Sequence, residues 1–413
     1  MNKNIKLAVA GAVLALSASA NAGIIIPAGD WTLDVNGNVN AFASWHKADH
    51  AATVNGGLAT GKDRVGENQG QNINTGLLPS WLGFTGTTRQ NDTDVTFNIS
   101  MQPNVSDARA TGDSGTPLFR TSYVSFGDKS WGSIKLGKDI GIFASDAILN
   151  DMTLLGVGGG LAAQSGANTT LGGIGSGYIY AAWKGQVAYT TPNFNGFQAT
   201  VGITNPNQGN DVVTGGLATL EGSGLYGANL NQDRFGIEGK ASYAFNQDNF
   251  SGKIWVSGVS NKVKGTVNAG DTSGALEYSA TAADIGANIN AGNIGLTAYY
   301  YTGEGAGTTL LLGNGYSVTN GKRDSDGGYL QATYVLPTKT KLGVAFGRSN
   351  LDLASGETNS GLVKTNERIT VGLYHPLTKH LNLVAEYNDM ESKAQGGAKN
   401  SASSGSLGAI LFF

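Results

Sequence analysis

The chain has 413 residues, of which 63 are glycine and none is cysteine, and its formal net charge is -3. The missing cysteine excludes disulfide scaffolds, thiolate zinc sites and cysteine nucleophiles. The balanced charge excludes a basic surface for nucleic acid. The only long apolar run, residues 7–20, is too short to cross a bilayer as a helix. Few charged residues, much glycine and many aromatic residues are together typical of a chain made of amphipathic β-strands.

The first 22 residues have the organisation of a secretory signal peptide. Lys3 and Lys6 precede the apolar run, and Ala20-Asn21-Ala22 forms an A-x-A cleavage site. The alternative is a short buried helix. We expect cleavage after Ala22, so that residues 1–22 are removed, and residues 23–413 form the mature, exported domain.

Alternation of apolar and polar residues with a period of two is the dominant pattern, and it predicts half-buried β-strands. No helical periodicity of comparable length competes with it. Clear examples are residues 33–41, 95–101, 235–243 and 381–387. We predict sixteen strands, near residues 31–45, 76–88, 93–102, 117–126, 131–138, 178–191, 196–204, 233–245, 250–260, 277–289, 294–302, 326–336, 340–350, 366–375, 380–390 and 403–413.

The connections between these strands alternate between two kinds. Seven are short and rich in the Gly, Asn, Asp and Pro that tight turns need, for example residues 89–92 and 290–293. Eight are long and polar, near residues 46–75, 103–116, 139–177, 205–232, 261–276, 303–325, 351–365 and 391–402. An even strand number with short turns at one end and long loops at the other is typical of an outer-membrane barrel.

A closed barrel satisfies every backbone polar group in lipid, because it leaves no unpaired edge. The alternative is a soluble all-β array of sandwiches or a solenoid, but the chain shows no repeat of fixed length. The predicted fold is therefore all-β: a transmembrane antiparallel β-barrel of sixteen strands. A wall of this size is too wide for side chains to fill, so we expect water in the lumen.

The alternation also assigns the two faces of the wall. The side chains expected to face lipid are Leu82, Phe84, Phe97, Ile99, Ile254, Val256, Leu342, Val344, Ile369, Val371 and Leu373. The polar side chains expected to face inward are Asp34, Asn38, Asp94, Asn98, Arg120, Lys135, Lys184, Arg234, Glu238, Lys240, Lys253, Asp284, Lys341, Arg368 and Glu386. The eight basic groups in this list are balanced by its five acids together with Asp139, Asp146 and Asp151 of the connection 139–177. The excess negative charge of the mature chain then lies largely in the loops, which predicts weak ion selectivity, cation-leaning at low salt.

Several stretches make the whole mature chain resemble a general diffusion porin of the Gram-negative outer membrane. They are Trp81 to Gly86, Arg120 to Phe126, Trp131 to Lys138, Val187 to Phe197, and the terminal Ser406 to Phe413. The last resembles the barrel-closing strand with a C-terminal phenylalanine that the barrel-assembly machinery recognises. The resemblance implies long external loops, short periplasmic turns and a third loop folded into the lumen.

The resemblance also implies a pore constriction between that third loop and a basic wall. On the loop, Asp151 matches the family's first acid and Asp146 lies in the same segment, whereas the second acid falls on Leu155. Of the four basic wall positions only Arg120 matches; the others fall on Asn38, Trp81 and Ala182. The candidate constriction residues are Asp146 and Asp151 on the loop, and Arg120, Lys135, Lys184 and Trp81 on the wall.

The function that follows is passive diffusion of small hydrophilic solutes and ions, with no catalytic residue, metal or cofactor implied. The resemblance further implies a homotrimer in outer-membrane lipid. Removal of Asp151, expected opposite Arg120, should shift permeability toward anions. Two alternatives remain open: a substrate-specific channel, to which Tyr299, Tyr301 and Tyr329 could contribute a track, and a surface or adhesin barrel with a plugged lumen.

Overall fold

The computed structural model describes residues 23–49, 54–59, 68–103, 105, 118–159, 169–206, 229–230, 233–266, 275–317 and 319–413. The signal peptide expected at residues 1–22 lies outside the described residues. We number sixteen long strands in chain order: β1 Trp31–Ala48, β2 Trp81–Gln90, β3 Thr93–Gln102, β4 Leu118–Asp128, β5 Gly132–Ile140, β6 Trp183–Thr190, β7 Phe197–Thr204, β8 Gly236–Gln247, β9 Phe250–Thr266, β10 Ala275–Ala291, β11 Ile294–Glu304, β12 Asp324–Val335, β13 Lys341–Leu351, β14 Val363–Pro376, β15 Leu381–Ala394 and β16 Lys399–Phe412.

The remaining elements are short. They are strands Ile24–Ala28, Gln69–Asn74, Asn229–Leu230, Tyr316–Ser317 and Gly321–Lys322, helix α1 Ser145–Leu149 and a 3-10 turn Met152–Leu155. None of the helices in these described ranges is long and apolar enough to cross a membrane.

The sixteen strands form one closed antiparallel sheet. Each strand pairs with the next along the chain, from β1 with β2 to β15 with β16. β16 then pairs with β1, from Asn38↔Phe412 to Ala48↔Ala402, and this seam closes the barrel. Strand Ile24–Ala28 pairs with the beginning of β1 beyond the end of β16. The predicted sixteen-stranded barrel is confirmed.

The two faces of the wall follow the alternation of the sequence. In β9, Ile254 and Val256 are 44% and 47% exposed, whereas Trp255 between them is 1% exposed. Successive side chains of a strand point to opposite faces, so one face of each strand forms the apolar outside of the barrel. The predicted lipid-facing residues that are exposed are Ile99, Ile254, Val256, Leu342, Val344, Ile369, Val371 and Leu373. Leu82, Phe84 and Phe97 are half-exposed.

The seven short turns lie at one rim, and the two-residue turn between β2 and β3 has an unusual backbone. Between β2 and β3, Asn91 and Asp92 have φ angles of 48° and 58°. Positive φ at both central residues is the geometry of a hairpin turn that matches the twist of its strands, and Asn and Asp tolerate it. At the other rim, the expected long connection 391–402 is wrong, because β15 and β16 stay paired as far as Lys393↔Lys399.

Two predicted strands begin later than expected. β2 begins at Trp81 rather than residue 76, because Pro79 has no N–H for the ladder, and Asn38 and Asn40 instead bind the carbonyls of Pro79 and Leu78 at 2.9 Å each. β6 begins at Trp183 rather than residue 178. Ala182 has a φ of 58°, which ends the extended backbone, and the residues before it belong to the preceding loop.

A β-bulge in β4 matters for the lumen. The register of β3 with β4 shifts between Ile99↔Ser122 and Met101↔Phe119. Two residues of β4, Arg120 and Thr121, therefore lie opposite a single residue of β3, as in a classic bulge. Because Phe119 and Ser122 face outward, both intervening side chains are directed to the inner face.

Candidate functional site

We call the connection between β5 and β6, residues 141–182, the third loop; its described parts, residues 141–159 and 169–182, lie in the interior of the barrel. Its backbone N–H groups donate hydrogen bonds of 2.7 to 2.9 Å to side chains on widely separated strands. The acceptors are Glu238 of β8, Gln331 of β12 and Glu386 of β15. A segment held by all three must lie inside the wall, so part of the lumen is filled by the loop rather than by water.

Asp146 attaches the loop to β8 and β9. Its carboxylate is 3% exposed, lies 2.8 Å from Lys240 Nζ, and also pairs with Lys253. Burial by itself would raise the pKa of Asp146, but the two lysines outweigh it and hold the pKa below its ordinary value. The carboxylate is therefore ionised at neutral pH, and it is turned toward the wall behind the loop.

Asp151 attaches the next turn of the loop to β14. Its Oδ2 accepts a 2.8 Å hydrogen bond from Tyr178 and lies 3.6 Å from the guanidinium of Arg368. Its Oδ1 accepts the N–H of Thr153 at 2.9 Å and thereby caps the 3-10 turn. Both charged side chains are 1% exposed. Asp151 thus pairs with Arg368 and is buried, whereas the sequence was interpreted as placing its charge across the pore from Arg120.

Tyrosines form the surface on which the loop rests. The rings of Tyr178 and Tyr329 are 5.8 Å apart, and those of Tyr299 and Tyr329 are 5.7 Å apart. The Tyr329 hydroxyl donates to the carbonyl of Ala147 at 2.8 Å. Tyr299, Tyr301 and Tyr329 are at most 5% exposed. The three tyrosines considered as a solute track are therefore covered by the loop.

Both lysines among the candidate wall residues are paired with acids. Lys184 is 1% exposed and donates to Glu238 at 2.6 Å. Lys135 is partly exposed, forms an ion pair with Asp139 on its own strand, and lies 4.9 Å from the ring centre of Tyr123. The structure therefore brings Lys184 to the base of the loop and leaves Lys135 on the open wall.

The other two predicted wall residues are more open. Arg120 is half-exposed, and it forms no ion pair with any residue for which the structure gives a position. Trp81 is half-exposed, and its ring packs edge-on against Phe412 at 6.5 Å. These two side chains, with Lys135, line the part of the lumen that the loop does not fill.

In the described parts of the loop, residues 141–159 and 169–182, the side chains that are not buried carry no charge. They are Leu149, Asn150, Leu155, Thr169 and Tyr180. The six predicted site residues therefore divide into two groups. Asp146, Asp151 and Lys184 hold the loop against the wall, whereas Arg120, Lys135 and Trp81 lie on the open wall.

The partners that hold the loop were predicted to face inward but not to bind it. They are Glu238, Lys240, Lys253, Arg368 and Glu386. The alternation of their strands gives the face of each side chain. Nothing in the sequence says which of them a loop more than 50 residues away will contact.

Sequence comparison places the chain in a family. The family model described as "Gram-negative porin" matches residues 7–395. A comparison with curated protein sequences finds no match.

Solved structures share the fold at low sequence identity. The outer membrane channel DcaP of Acinetobacter baumannii has a TM-score of 0.67 and 15% identity, over 94% of this chain and 99% of that chain. OmpF of Salmonella typhi, solved in complex with daunomycin, has a TM-score of 0.57 and 15% identity, over 94% of this chain and 100% of that chain. The in-vitro folded OmpT of Vibrio cholerae in a trimer form has a TM-score of 0.54 and 14% identity, over 93% and 99%.

The closed barrel has an apolar outside and a partly open polar lumen, which are the properties of a channel through a membrane. The family match extends over nearly the whole chain, and proteins of this family and fold are in general channels rather than enzymes. The chain belongs to the Gram-negative porin family and forms a diffusion channel of the outer membrane.

Proposed function

We propose that small hydrophilic solutes and ions pass between the third loop and the wall formed by β2 to β6, without a catalytic step. The supporting observation is the asymmetry of the lumen. The loop packs against β8 to β15, whereas polar side chains of β2 to β5 stay half-exposed, among them Thr85, Asn98, Arg120 and Lys135. The open face of the loop and this wall then form the constriction, with the positive charge of Arg120 and the ring of Trp81 on its wall side.

Conductance in a planar bilayer tests this path. We expect stepwise current increases, and we expect Asn98→Trp to reduce the step size because Asn98 lies on the inner face of β3. The matched control is Ile99→Trp, which places the same ring one residue along the strand on the outer face and should leave the step unchanged. Equal conductance of the two variants, or no conductance of the unmodified protein, would contradict the proposal.

We propose that the barrel works as a homotrimer whose subunits meet near the seam. The outer faces of β1 and β16 carry small and apolar side chains, and Val39, Leu407 and Leu411 are 53%, 56% and 41% exposed. The trimer form of the OmpT relative supports the same state. Away from the seam, we propose that the exposed apolar side chains on the outer face of the barrel contact lipid. The long connections then lie on the outside of the cell.

Sedimentation in mild detergent measures the assembly. We expect the mass of three barrels, and we expect Val39→Trp to reduce it to one barrel because a large ring separates two close surfaces. Val344→Trp is the control, since Val344 is 49% exposed on the outer face of β13, away from the seam. A single-barrel mass for the unmodified protein would refute the trimer.

We propose that cleavage after Ala22 creates an ion pair on β1, beyond the end of the seam. A side-chain carbon placed on Gly23 would lie 1.9 Å from Oδ1 of Asp34, so the two residues are in direct contact. That oxygen is buried and has no hydrogen-bond partner among the residues that the structure describes. The ammonium group produced at Gly23 would supply a hydrogen-bond partner for it.

The C-terminus lies nearby. Phe413 exchanges backbone hydrogen bonds of 2.8 and 3.0 Å with Gly37, which fits the proposed recognition of the C-terminus by the assembly machinery.

Mass spectrometry of the purified outer-membrane protein should give a chain that begins at Gly23. Asp34→Asn should lower the temperature at which the mature barrel unfolds in a heated gel assay, because the new ammonium group loses its carboxylate. A precursor whose cleavage site is blocked should not respond to Asp34→Asn, since its residue 23 carries no charge. An equal response of both forms would show that Asp34 acts through other contacts.

A further inference from the structure

A cavity of about 210 Å³ lies beneath the third loop, near the rim of short turns. Water occupies about 30 Å³ in the liquid, so the cavity has room for a small organic molecule. We call it the amide pocket. Its polar lining is Asn150, Asn288, Asn290, Asn293, Gln331 and Thr333, with Lys341 beside them. The loop residues Leu149, Met152 and Leu155 form its apolar side.

The register of the strands explains this concentration of polar groups. Asn288, Thr297 and Gln331 lie side by side on β10, β11 and β12, and Asn290, Gly295 and Thr333 form the next row toward the turns. Gly295 has no side chain, and a carbon placed on it would lie 2.6 Å from the hydroxyl of Thr333. The missing side chain therefore leaves open the space between the polar groups.

Lys341 is the distinctive group of the pocket. Several other inward basic residues are paired with acids, as Lys184 is with Glu238 and Arg368 with Asp151, whereas Arg120 on β4 has no ion pair within the described part of the chain. Lys341 has no ion pair or hydrogen bond to any described part of the chain, and its Nζ lies 5.0 Å from the ring centre of Tyr374. A cation over an aromatic face is stabilised without being neutralised, so its charge remains available to a ligand.

Several neutral groups of the pocket also have unused hydrogen-bonding capacity. Asn290 donates its Nδ2 to Asn288 at 2.9 Å, and Asn150 donates its Nδ2 to the carbonyl of Asp146 at 2.8 Å. In each case the side-chain oxygen has no partner among the described residues. The only acid in the lining, Asp151, already bonds Thr153, Tyr178 and Arg368. The pocket thus offers one positive charge together with oxygens that accept hydroxyl groups.

We propose that the amide pocket is a binding site for small hydroxylated carboxylates, with the carboxylate on Lys341 and the hydroxyl groups on Asn150, Asn290 and Thr333. This inference deepens the proposed diffusion function, because it assigns a solute class to a site beside the path. Leu149, Asn150 and Leu155 belong both to this pocket and to the open face of the loop, so a solute held here lies at the constriction and delays or blocks the ions that pass it.

Block of single-channel current by D-gluconate tests the site. Gluconate should block the unmodified channel, and Lys341→Gln should raise the half-blocking concentration by about tenfold or more, as expected for loss of a hydrogen bond to a charged group. Lys364→Gln makes the same change in net charge on an exposed residue of β14. Gluconate should block this variant at the same concentration as it blocks the unmodified channel. Sorbitol, which has the hydroxyl groups but no carboxylate, should not block.

A second variant tests the hydroxyl contacts. Thr333→Val should weaken block by gluconate and leave block by hexanoate, which has no hydroxyl groups, unchanged. Equal gluconate block of the unmodified and Lys341→Gln channels, equal block by sorbitol, or no gluconate block at all would overturn the assignment. Failure of the diffusion function is distinguishable from these results, because it would appear as absence of current before any solute is added.

Discussion

Replacement of Glu238 by alanine is expected to lower the free energy of unfolding by about 3–5 kcal/mol, the usual cost of removing one partner from a buried ion pair. The Glu238 carboxylate is 0% exposed and accepts four hydrogen bonds. The donors are Lys184, Thr204 and the N–H groups of Ile142 and Phe143. Its removal leaves a buried lysine uncompensated and releases the first residues of the third loop, so open-channel current should also become noisier.

A double replacement separates the charge from the hydrogen bonds. Glu238→Gln keeps an oxygen for the loop N–H groups but leaves the Lys184 charge unpaired, whereas Lys184→Met with Glu238→Gln removes both charges. The double variant should therefore be more stable than Glu238→Gln alone in denaturant unfolding. The control is Glu367→Ala, whose 3.1 Å pair with Arg348 is partly exposed and should contribute at most about 1 kcal/mol. Equal losses in Glu238→Ala and Glu367→Ala would contradict the role of burial.

Replacement of Arg120 by glutamine is expected to shift the channel toward cations. Arg120 is half-exposed and has no acidic partner in the described ranges, so its charge acts directly on passing ions. A unit charge at 4 Å in water contributes about 1 kcal/mol, which changes the local concentration of cations and that of anions about fivefold each, in opposite directions, and so changes their ratio about thirtyfold. The reversal potential under a KCl gradient measures this change, and the shift should fade as salt rises.

Two matched variants show whether the open wall or the loop sets the selectivity. Arg120→Lys keeps the charge and should keep the reversal potential. Asp151→Asn, expected from the sequence to act opposite Arg120, should shift the reversal potential less than Arg120→Gln does, because Asp151 is buried against Arg368 behind the loop. A larger shift for Asp151→Asn would mean that ions pass on the other side of the loop.

The strand order and the two faces of the wall were predictable because the side chains of a β-strand point to the same face at every second residue. Each of the sixteen predicted strands overlaps a strand of the structure. The errors in where β2 and β6 begin occur where the chain is held by side-chain contacts instead of by backbone hydrogen bonds to a neighbouring strand. Asn40 binds the segment before β2, and the buried Tyr178 belongs to the loop rather than to β6. These contacts depend on residues distant in sequence, and no periodicity records them.

The site was less predictable than the wall, because a loop has no period that fixes the direction of its side chains. The sequence placed Asp146 and Asp151 on the third loop. It did not indicate that both side chains face away from the open lumen. Their partners Lys240, Lys253 and Arg368 lie between 90 and 220 residues away. The bulge that directs both Arg120 and Thr121 inward was likewise not visible in the sequence.

The seam between β1 and β16 imposes an order on folding. Asn38 and Phe412 pair across nearly the whole length of the chain, and contacts of such high sequence separation form slowly. Hairpins such as β2 with β3 join neighbouring residues and need no such search. Meanwhile, strand Ile24–Ala28 covers part of the free edge of β1, and a covered edge does not recruit another chain. Hairpins, among them β15 with β16, therefore form before the seam, and the pairing of β1 with β16 is the last step that closes the barrel.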